Sequence, residues 1–147
     1  MSETPKTPAA PETQDKPRGD LTLRISAMPA DTNANGDIFG GWVMSRMGQA
    51  GGIAAVEHAA GRVVTVKVDA MTFIRPMKVG DVLCVYADLE RVGRTSMTLH
   101  IEAWAQRFRA ATFEKVTEAS FIFVAVDDEG RPRVIPRDKV LATPPGR

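Results

Sequence analysis

The sequence predicts an α+β fold in which one long central helix is wrapped by a curved antiparallel sheet of about five strands. Only one stretch, near residues 40–59, has the apolar spacing of a long helix. The stretches that follow residue 61 alternate with a period of two, as strands do. Short loops separate these later strands, which favours antiparallel pairing between neighbours. The helix must then bury its apolar face against one side of the sheet.

With 147 residues, of which 44% are apolar and 25% charged, the chain has the size and composition of one globular domain. Its net charge of +1 gives no electrostatic reason to expect nucleic acid or a membrane surface as a partner. The single cysteine, Cys84, excludes an intrachain disulfide and a cysteine-based metal site. No apolar run approaches the ~20 residues of a membrane span, and the N-terminus has no secretory signal. We therefore expect a cytoplasmic protein.

Proline-rich segments flank the predicted domain. Residues 1–20 combine four prolines with charged and small polar residues, so we expect a disordered or loosely attached arm. Residues 137–147 are predicted to form a flexible tail. The folded domain should therefore span residues 21–136. It begins with a short strand at residues 21–25, where apolar and polar residues alternate.

A polar turn precedes the helix. Asn35 and Gly36 form a strong turn dipeptide, because both residues tolerate a positive φ. Asp37 follows in the position of an N-cap, where its carboxylate would accept hydrogen bonds from the first helical amides.

The helix itself is predicted from about Gly40 to about Ala59, because Phe39, Val43 and Met47 recur at a spacing of four. Each glycine inside a helix costs roughly 0.5–1 kcal/mol relative to alanine. Three glycines lie in the middle of this one: Gly48, Gly51 and Gly52. We expect them to permit close approach of another backbone or of a ligand. The alternative is a helix that breaks near Gly51.

The first long strand after the helix changes its apolar phase. Val64, Val66 and Val68 point to one side, whereas Met71 and Phe73 continue the apolar set on the opposite parity. A β-bulge near residues 69–71 would return one face to the core, so the sequence predicts a bulge there.

Three further strands are predicted. Residues 82–89 are nearly all apolar, as in a central strand covered on both sides. A hairpin turn follows, in which Gly93 is expected to supply a positive φ. Residues 97–105 alternate clearly, a loop is expected at residues 107–114, and residues 116–126 form the last strand. Since two strands look apolar on both faces, an oligomer should cover the outer side of the sheet. A glycine-bearing helix inside such a sheet suggests the hotdog fold.

Three segments closely resemble YciA-like hotdog acyl-CoA thioesterases. They are Asp-Thr-Asn-Ala-Asn-Gly-Asp-Ile-Phe-Gly-Gly-Trp at residues 31–42, Gly-Arg-Val-Val-Thr-Val at 61–66 and Val-Gly-Arg-Thr-Ser at 92–96. The similarity covers roughly residues 21–136. The resemblance implies hydrolysis of acyl-coenzyme A to free acid and coenzyme A, without a metal or other cofactor. It also implies active sites at the interface of a homodimer, and assembly of dimers into a hexamer as a trimer of dimers.

The chain departs from this family at one position. Relatives carry the principal catalytic acid on the central helix, in a Met-Ser-Gln-Met-Asp sequence, whereas residues 44–48 here read Met-Ser-Arg-Met-Gly. Gly48 therefore stands where the resemblance implies an aspartate. Glycine can neither polarise a water nor attack a carbonyl. The chain is either a weakened or inactive member, natural or engineered, or another acid has taken over the work.

Thioester hydrolysis needs a delivered water and stabilisation of negative charge on the carbonyl oxygen. Free amides at the helix N-terminus, around Gly40 and Gly41, would meet the second need. The alternative is that these are simple turn glycines. Asp37 is the remaining carboxylate in the right region. Helix-end amides would keep it ionised but weaken it as a base, so capping or substrate positioning is favoured over a role as sole general base.

Candidate substrate-binding residues lie in the turn, the bulged strand and the hairpin: Asn35, Phe39, Asp69, Phe73, Gly93, Arg94, Thr95 and Ser96. The hairpin residues offer amides, hydroxyls and a guanidinium to the pantetheine or phosphates of coenzyme A. A plain hairpin turn is the alternative. Arg131, Arg133 and Arg137 are expected to form a solvated basic tail rather than a phosphate site.

Three functions compete on this sequence. The leading hypothesis is an acyl-CoA thioesterase, functional or disabled at Gly48. The second is a non-catalytic acyl-CoA binding protein on the same fold, which Gly48 motivates directly. A hotdog dehydratase is disfavoured, because it would typically use a histidine near the helix. Neither His58 nor His100 lies near the turn, and the two lack the spacing of metal ligands, so no metal site is predicted.

Overall fold

A computed structural model describes residues 16–137 of the chain. The elements are β1 (Asp20–Ser26), a short 3₁₀ turn (Pro29–Asp31), α1 (Gly40–Ala59), β2 (Val63–Phe73), β3 (Val82–Val92), β4 (Ser96–Gln106) and β5 (Phe113–Ala125). Residues 1–15 of the predicted arm and 138–147 of the predicted tail lie outside the described residues. Within that range, no helix is long and apolar enough to cross a membrane.

The five strands form one antiparallel sheet in the order β1-β3-β4-β5-β2, and α1 contacts every strand. This is the predicted α+β hotdog architecture, and the predicted bounds of α1 are confirmed. Two strand bounds differ from the prediction by three residues, since β3 continues to Val92 and β5 begins at Phe113. The loop between β4 and β5 is correspondingly shorter, at residues 107–112.

The helix packs on the core through its small residues. Gly51 is buried, and a Cβ built on it would lie 2.9 Å from Cζ of Phe123 and 3.4 Å from Cδ1 of Ile101. Real Cβ atoms do not approach so closely, so only glycine lets α1 lie against this ring. The close approach expected of the helix glycines is therefore confirmed at Gly51, where the helix continues without a break.

The predicted bulge is present in β2. The pairing of β2 with β5 shifts register between Asp69 and Thr72, and Ala70 between them has a φ of 57°. A second shift, between Thr65 and Lys67, was not predicted. The extra residues change which side chains face the helix, as the apolar phase change required.

Two local predictions were wrong. Asp37 is not the N-cap, because Phe39 holds that position without a side-chain cap. Asp37 instead forms an isolated backbone bridge with Lys78, and its carboxylate pairs with the Lys78 ammonium. Gly93 does not have a positive φ. The hairpin closes through the Gly93 amide, which donates to the Ser96 carbonyl at 2.7 Å. A Cβ on Gly93 would lie 3.1 Å from Ser96 Oγ, so limited space favours a small residue here.

The strands at the centre of the sheet are buried, whereas the edge strand β2 is exposed. In β3, Leu83, Cys84 and Val85 are buried, as predicted for a strand covered on both sides. At the β2 edge, Val66 is 55% exposed, and Val64 and Val68 are exposed as well. An exposed apolar edge strand of this length is a template for pairing with another chain.

Candidate active site

The loop that leads into α1 is organised by Asn33, whose role the sequence did not reveal. Its Oδ1 accepts hydrogen bonds from the amides of Asn35 at 2.9 Å and Asp37 at 3.1 Å. The Asn33 backbone amide donates to the Asp37 carbonyl at 2.7 Å. Asparagine side chains often accept hydrogen bonds from the backbone of such turns. The Asn-x-Asn-Gly-Asp pattern at residues 33–37 is therefore the sequence feature that could have indicated this role of Asn33. These bonds fix the backbone of the loop immediately before the helix.

Asp37 and Lys78 form an ion pair between this loop and the β2–β3 loop. The carboxylate is 31% exposed and the ammonium 58% exposed, so the pair sits at the solvent boundary. Exposed ion pairs contribute little stability. The pair does, however, hold the carboxylate that the sequence placed beside the start of the helix. Lys78 was not predicted to take part.

At the start of α1, there is little space beside Gly40 and open space beside Gly41. A Cβ on Gly40 would lie 3.2 Å from Cζ of Phe73, whereas a Cβ on Gly41 would meet nothing within 4 Å. The first amides of an α-helix have no intrahelical acceptor. The structure therefore brings Gly40, Gly41, Phe39 and Phe73 together, with both aromatic side chains exposed beside free helix amides. Such amides suit an oxygen that develops negative charge.

Gly48 lies on α1 further from this end. Eight residues separate it from Gly40, or about 12 Å along the helix axis. A Cβ on Gly48 would lie 3.8 Å from Cε2 of Phe121, an ordinary contact, and a Cβ on Gly52 would meet nothing within 4 Å. Position 48 thus has room for a side chain. It is too far from the helix amides of its own chain to act on the same carbonyl group.

The β3–β4 hairpin lies toward the opposite end of the helix. Near the start of the helix, Phe73 lies beside Gly40 and pairs with Thr117, which pairs in turn with Ala103 on β4. Further along the helix, Phe123 lies against Gly51 and pairs with Met97, which is next to the hairpin. One chain therefore does not bring the hairpin residues Gly93, Arg94, Thr95 and Ser96 to its own helix amides. The predicted catalytic and substrate-binding residues form two groups at two ends of the protomer.

The C-terminal segment packs on this hairpin. The Ile135 amide donates to the Arg94 carbonyl at 2.9 Å, and the Arg137 guanidinium donates to the Gly93 carbonyl at 3.3 Å. Arg133 is half-buried, with its Nε on the Val126 carbonyl at 3.0 Å, so the expectation of a wholly solvated basic tail is wrong for Arg133. Arg131 fits that expectation, because it forms exposed ion pairs with the turn that precedes it.

Asp69 takes no part in either group. It pairs in register with Ser120, which stands opposite His100 on the sheet face away from the helix. Its exposed carboxylate is 3.3 Å from the Lys67 ammonium. Within one protomer Asp69 lies with neither group, and its substrate-binding role stays a prediction.

A buried polar cluster occupies that outer face of the sheet. The Glu102 carboxylate, 1% exposed, accepts hydrogen bonds from Trp104 Nε1 at 2.9 Å and pairs with His100 Nε2 at 2.8 Å. Lys115 lies 2.8 Å from Glu118 and 3.6 Å from Glu102. Among the described residues, His100, Glu102 and Glu118 are the one group whose ligand atoms are close enough to hold a metal ion. The Lys115 ammonium already supplies a cation there.

A helix with free glycine amides against a five-stranded antiparallel sheet is the arrangement of the hotdog thioesterases. A model of the thioesterase superfamily matches residues 35–110. The chain belongs to this superfamily, and the predicted family is confirmed.

Individual relatives are acyl-CoA thioester hydrolases. The acyl-CoA thioester hydrolase YciA of Escherichia coli (strain K12) is 55% identical over 127 residues, which are 84% of this chain and 96% of the relative. A hexameric thioesterase from Yersinia pestis has a TM-score of 0.80 and 55% identity, over 82% of this chain and 98% of its own. A hexameric broad-specificity acyl-coenzyme A thioesterase, solved as an aspartate-to-alanine variant, has a TM-score of 0.81 and 51% identity, over 84% of this chain and 91% of its own.

Proposed function

We propose that this protein hydrolyses acyl-coenzyme A to the free acid and coenzyme A, at sites formed between two protomers. The observation that carries the proposal is the separation of the site within one chain. The helix amides at Gly40 and Gly41 lie at one end of the protomer, Gly48 lies near the middle of the helix, and the hairpin lies toward the other end. A second protomer in the opposite orientation would supply the missing half of each site.

The β2 edge provides the means for this arrangement. Antiparallel pairing of two β2 edges about a two-fold axis would cover the exposed valines and join the two sheets. The two helices would then run in opposite directions. The start of one helix would face the middle of its partner's helix and the partner's hairpin. We propose that these dimers assemble further into a trimer of dimers, since similar structures are hexameric.

The proposed reaction is a direct hydrolysis. The Gly40 and Gly41 amides hold the thioester oxygen and stabilise its negative charge as a water oxygen attacks the carbonyl carbon. The carbon–sulfur bond then breaks, the coenzyme A sulfur leaves with the electron pair, and the water supplies the proton that makes the thiol. Asp37, fixed by Lys78, orients the water. Gly48 of the partner subunit contributes no carboxylate, so we expect turnover to be slow.

The hairpin is the proposed site for the nucleotide end of coenzyme A. Arg94 has no carboxylate partner among the ion pairs of residues 16–137, and the Arg137 guanidinium donates to the Gly93 carbonyl. Two guanidinium groups without a carboxylate partner among the described residues can bind phosphate groups. We expect Arg94→Gln to raise KM for acyl-CoA roughly tenfold, the loss of one charge-assisted bond of about 1.4 kcal/mol. The KM for the matching acyl-pantetheine, which lacks the nucleotide, should not change. Equal effects on both substrates would refute the assignment.

The proposed reaction uses no metal or other cofactor. The His100–Glu102–Glu118 group lies on the face away from the helix, where it cannot reach the thioester. Dialysis against EDTA should therefore leave the rate of thiol release unchanged, and a loss that zinc or manganese restores would contradict the proposal. A cytoplasmic location stays a prediction, to be checked by cell fractionation.

Steady-state hydrolysis of a panel of acyl-CoA esters, followed by release of free thiol, tests the proposed function. We expect saturable release by the wild-type chain and abolition of release by a β2 substitution that separates the protomers. Binding of acyl-CoA without any thiol release, in both the wild type and Gly48→Asp, would favour the non-catalytic binding protein instead.

A further inference from the structure

We propose that Thr117, a buried threonine of β5, is a positioning residue for the helix amides that hold the thioester oxygen. Its hydroxyl donates to the Thr72 carbonyl and thereby seats the Phe73 ring against Gly40. The inference rests on the hydrolysis proposed above and adds a residue to it. Thr117 is assigned no contact with the reacting atoms.

Thr117 is fully buried although its side chain is polar. It is 0% exposed and pairs across the sheet with Ala103, a member of the hydrophobic core. Valine would fill the same space with the same branched shape and without a polar atom. A hydroxyl in such a place costs free energy unless it is hydrogen-bonded. The property that threonine adds here is therefore its directed bond to the Thr72 carbonyl.

The end of β2 depends on this bond, because register shifts interrupt the ladders around it. The pairing of β2 with β5 shifts between Asp69 and Thr72, and the pairing of β5 with β4 shifts next to Ala103. The bulge in β2 separates Thr72 and Phe73 from the regular part of their strand. Phe73 is also the last residue of β2. The Thr117 hydroxyl is thus a fixed point from which the Thr72–Phe73 peptide takes its direction.

Other bonds to β5 hold the chain that follows β2. The amides of Ile74 and Arg75 both donate to the Val116 carbonyl, at 2.7 Å and 3.3 Å. The Arg75 guanidinium donates to the Lys115 carbonyl at 2.8 Å. These bonds keep the end of β2 on β5 when the Thr117 hydroxyl is lost. Removal of the hydroxyl is therefore expected to tilt one peptide rather than to unfold the sheet.

The Phe73 ring is the link between this bond and the helix. Phe73 is 45% exposed, so packing restrains only part of its ring. A Cβ on Gly40 would lie 3.2 Å from Cζ of Phe73, which places the ring against the first residue of α1. A tilt of the Thr72–Phe73 peptide would move this ring and, with it, the Gly40 amide. Donors to an oxyanion act at about 2.7–3.1 Å, and a misplacement of about 1 Å costs up to roughly 10²-fold in rate.

The first test is steady-state thiol release from butanoyl-CoA. Thr117→Val removes the hydroxyl and should lower kcat about 10–100-fold, with KM changed less than about threefold because the hairpin is untouched. Thr117→Ser keeps the hydroxyl and should retain at least about a third of the wild-type kcat. Equal losses of kcat in the valine and serine variants, or a rise in KM alone, would overturn the proposal.

Thr22→Val is the matched control variant. The Thr22 hydroxyl also donates to a backbone carbonyl, that of Asp20 at 3.0 Å, but in β1 at the other edge of the sheet. This variant should leave kcat and KM unchanged. A loss of kcat as large as that of Thr117→Val would mean that any such bond matters equally, and the positioning role would be wrong.

A double-mutant cycle tests the route through the ring. Phe73→Ala removes the ring, so adding Thr117→Val to it should lower kcat less than about twofold further. Two independent losses that multiply would show that Thr117 does not act through Phe73.

Hydrogen exchange separates this inference from the proposed function, because it needs no turnover. The amides of Phe39, Trp42 and Val43 are hydrogen-bonded at the start of the helix, and mass spectrometry of this segment reports their opening. Exchange should be at least about threefold faster in Thr117→Val than in the wild type, Thr117→Ser and Thr22→Val. Unchanged exchange in Thr117→Val would overturn the positioning role. If the wild type releases no thiol, the proposed function fails, and the exchange rates alone decide whether Thr117 positions the helix start.

Discussion

Introducing a carboxylate at position 48 should raise the rate of acyl-CoA hydrolysis. The substitution is Gly48→Asp, and the structure permits it, because the added Cβ would lie 3.8 Å from the Phe121 ring. Gly48 lies inside α1 and is not among the residues with positive φ, so an L side chain causes no backbone strain. Aspartate is also a slightly better helix residue than glycine, by a few tenths of a kcal/mol. We therefore expect the variant to fold at least as well as the wild type.

The expected gain in rate follows from the value of a general base. Such a group typically contributes 10²–10⁴-fold, or about 2.7–5.5 kcal/mol of barrier. The gain should appear in kcat, because the carboxylate acts on the water in the transition state rather than on substrate binding. The assay is steady-state thiol release from an acyl-CoA ester by Gly48→Asp and wild type at equal protomer concentration.

Two control variants separate charge from shape. Gly48→Asn has nearly the same size as Gly48→Asp without the charge, and Gly48→Ala tests the helix effect alone. Neither should raise kcat by more than a few-fold. If Gly48→Asn accelerates hydrolysis as much as Gly48→Asp, the charge is irrelevant and the assignment of position 48 is wrong. If none of the three changes an already fast wild type, Asp37 becomes the residue to replace.

Three further substitutions, together with the Gly48→Ala control, test other parts of the structure. Gly51→Ala should lower the free energy of unfolding by about 1–3 kcal/mol in urea titrations, because the new Cβ would lie 2.9 Å from Phe123. Gly48→Ala, with an ordinary contact, should instead raise that free energy by about 0.5–1 kcal/mol. Asp81→Asn should be destabilising by about 1–3 kcal/mol at pH 7. The folded pKa of Asp81 lies below its ordinary 3.8, so its contribution is present above that pH and lost as the pH falls through the folded pKa. Val66→Glu should place like charges across the proposed β2 pairing, yield monomers in light scattering and abolish hydrolysis.

Each of these predictions would be contradicted by a specific result. Equal stability of the Gly51→Ala and Gly48→Ala variants would mean that the Phe123 ring gives way freely. A stability difference between wild type and Asp81→Asn that grows on acidification below pH 4 would reverse the assigned sign. A fully active Val66→Glu monomer would show that one chain contains the whole site.

The elements of the fold could be predicted because they depend on local patterns. The helical spacing of Phe39, Val43 and Met47 set the bounds of α1, and the phase change in β2 located the bulge at residues 69–71. Both signals are contained within a few neighbouring residues. The need for glycine at position 51 was also visible, although the ring that requires it lies in β5.

The wrong predictions depend on contacts between distant parts of the chain. Asp37 looks like an N-cap from its neighbours, but Lys78, 41 residues away, binds its carboxylate. Asp81 ties two loops together through Arg107, 26 residues away, which no local pattern reveals. The candidate site is hardest to predict for the same reason, since in the proposed arrangement its two halves come from two different chains.

The most direct test of the central claim is hydrolysis by the wild-type chain in ¹⁸O-labelled water, with butanoyl-CoA as substrate and mass spectrometry of the products. We predict saturable formation of coenzyme A and butanoic acid in equal amounts, with one ¹⁸O in the acid. Recovery of intact butanoyl-CoA at the uncatalysed rate, even with enzyme in excess, would contradict the claim that this chain is an acyl-CoA thioesterase.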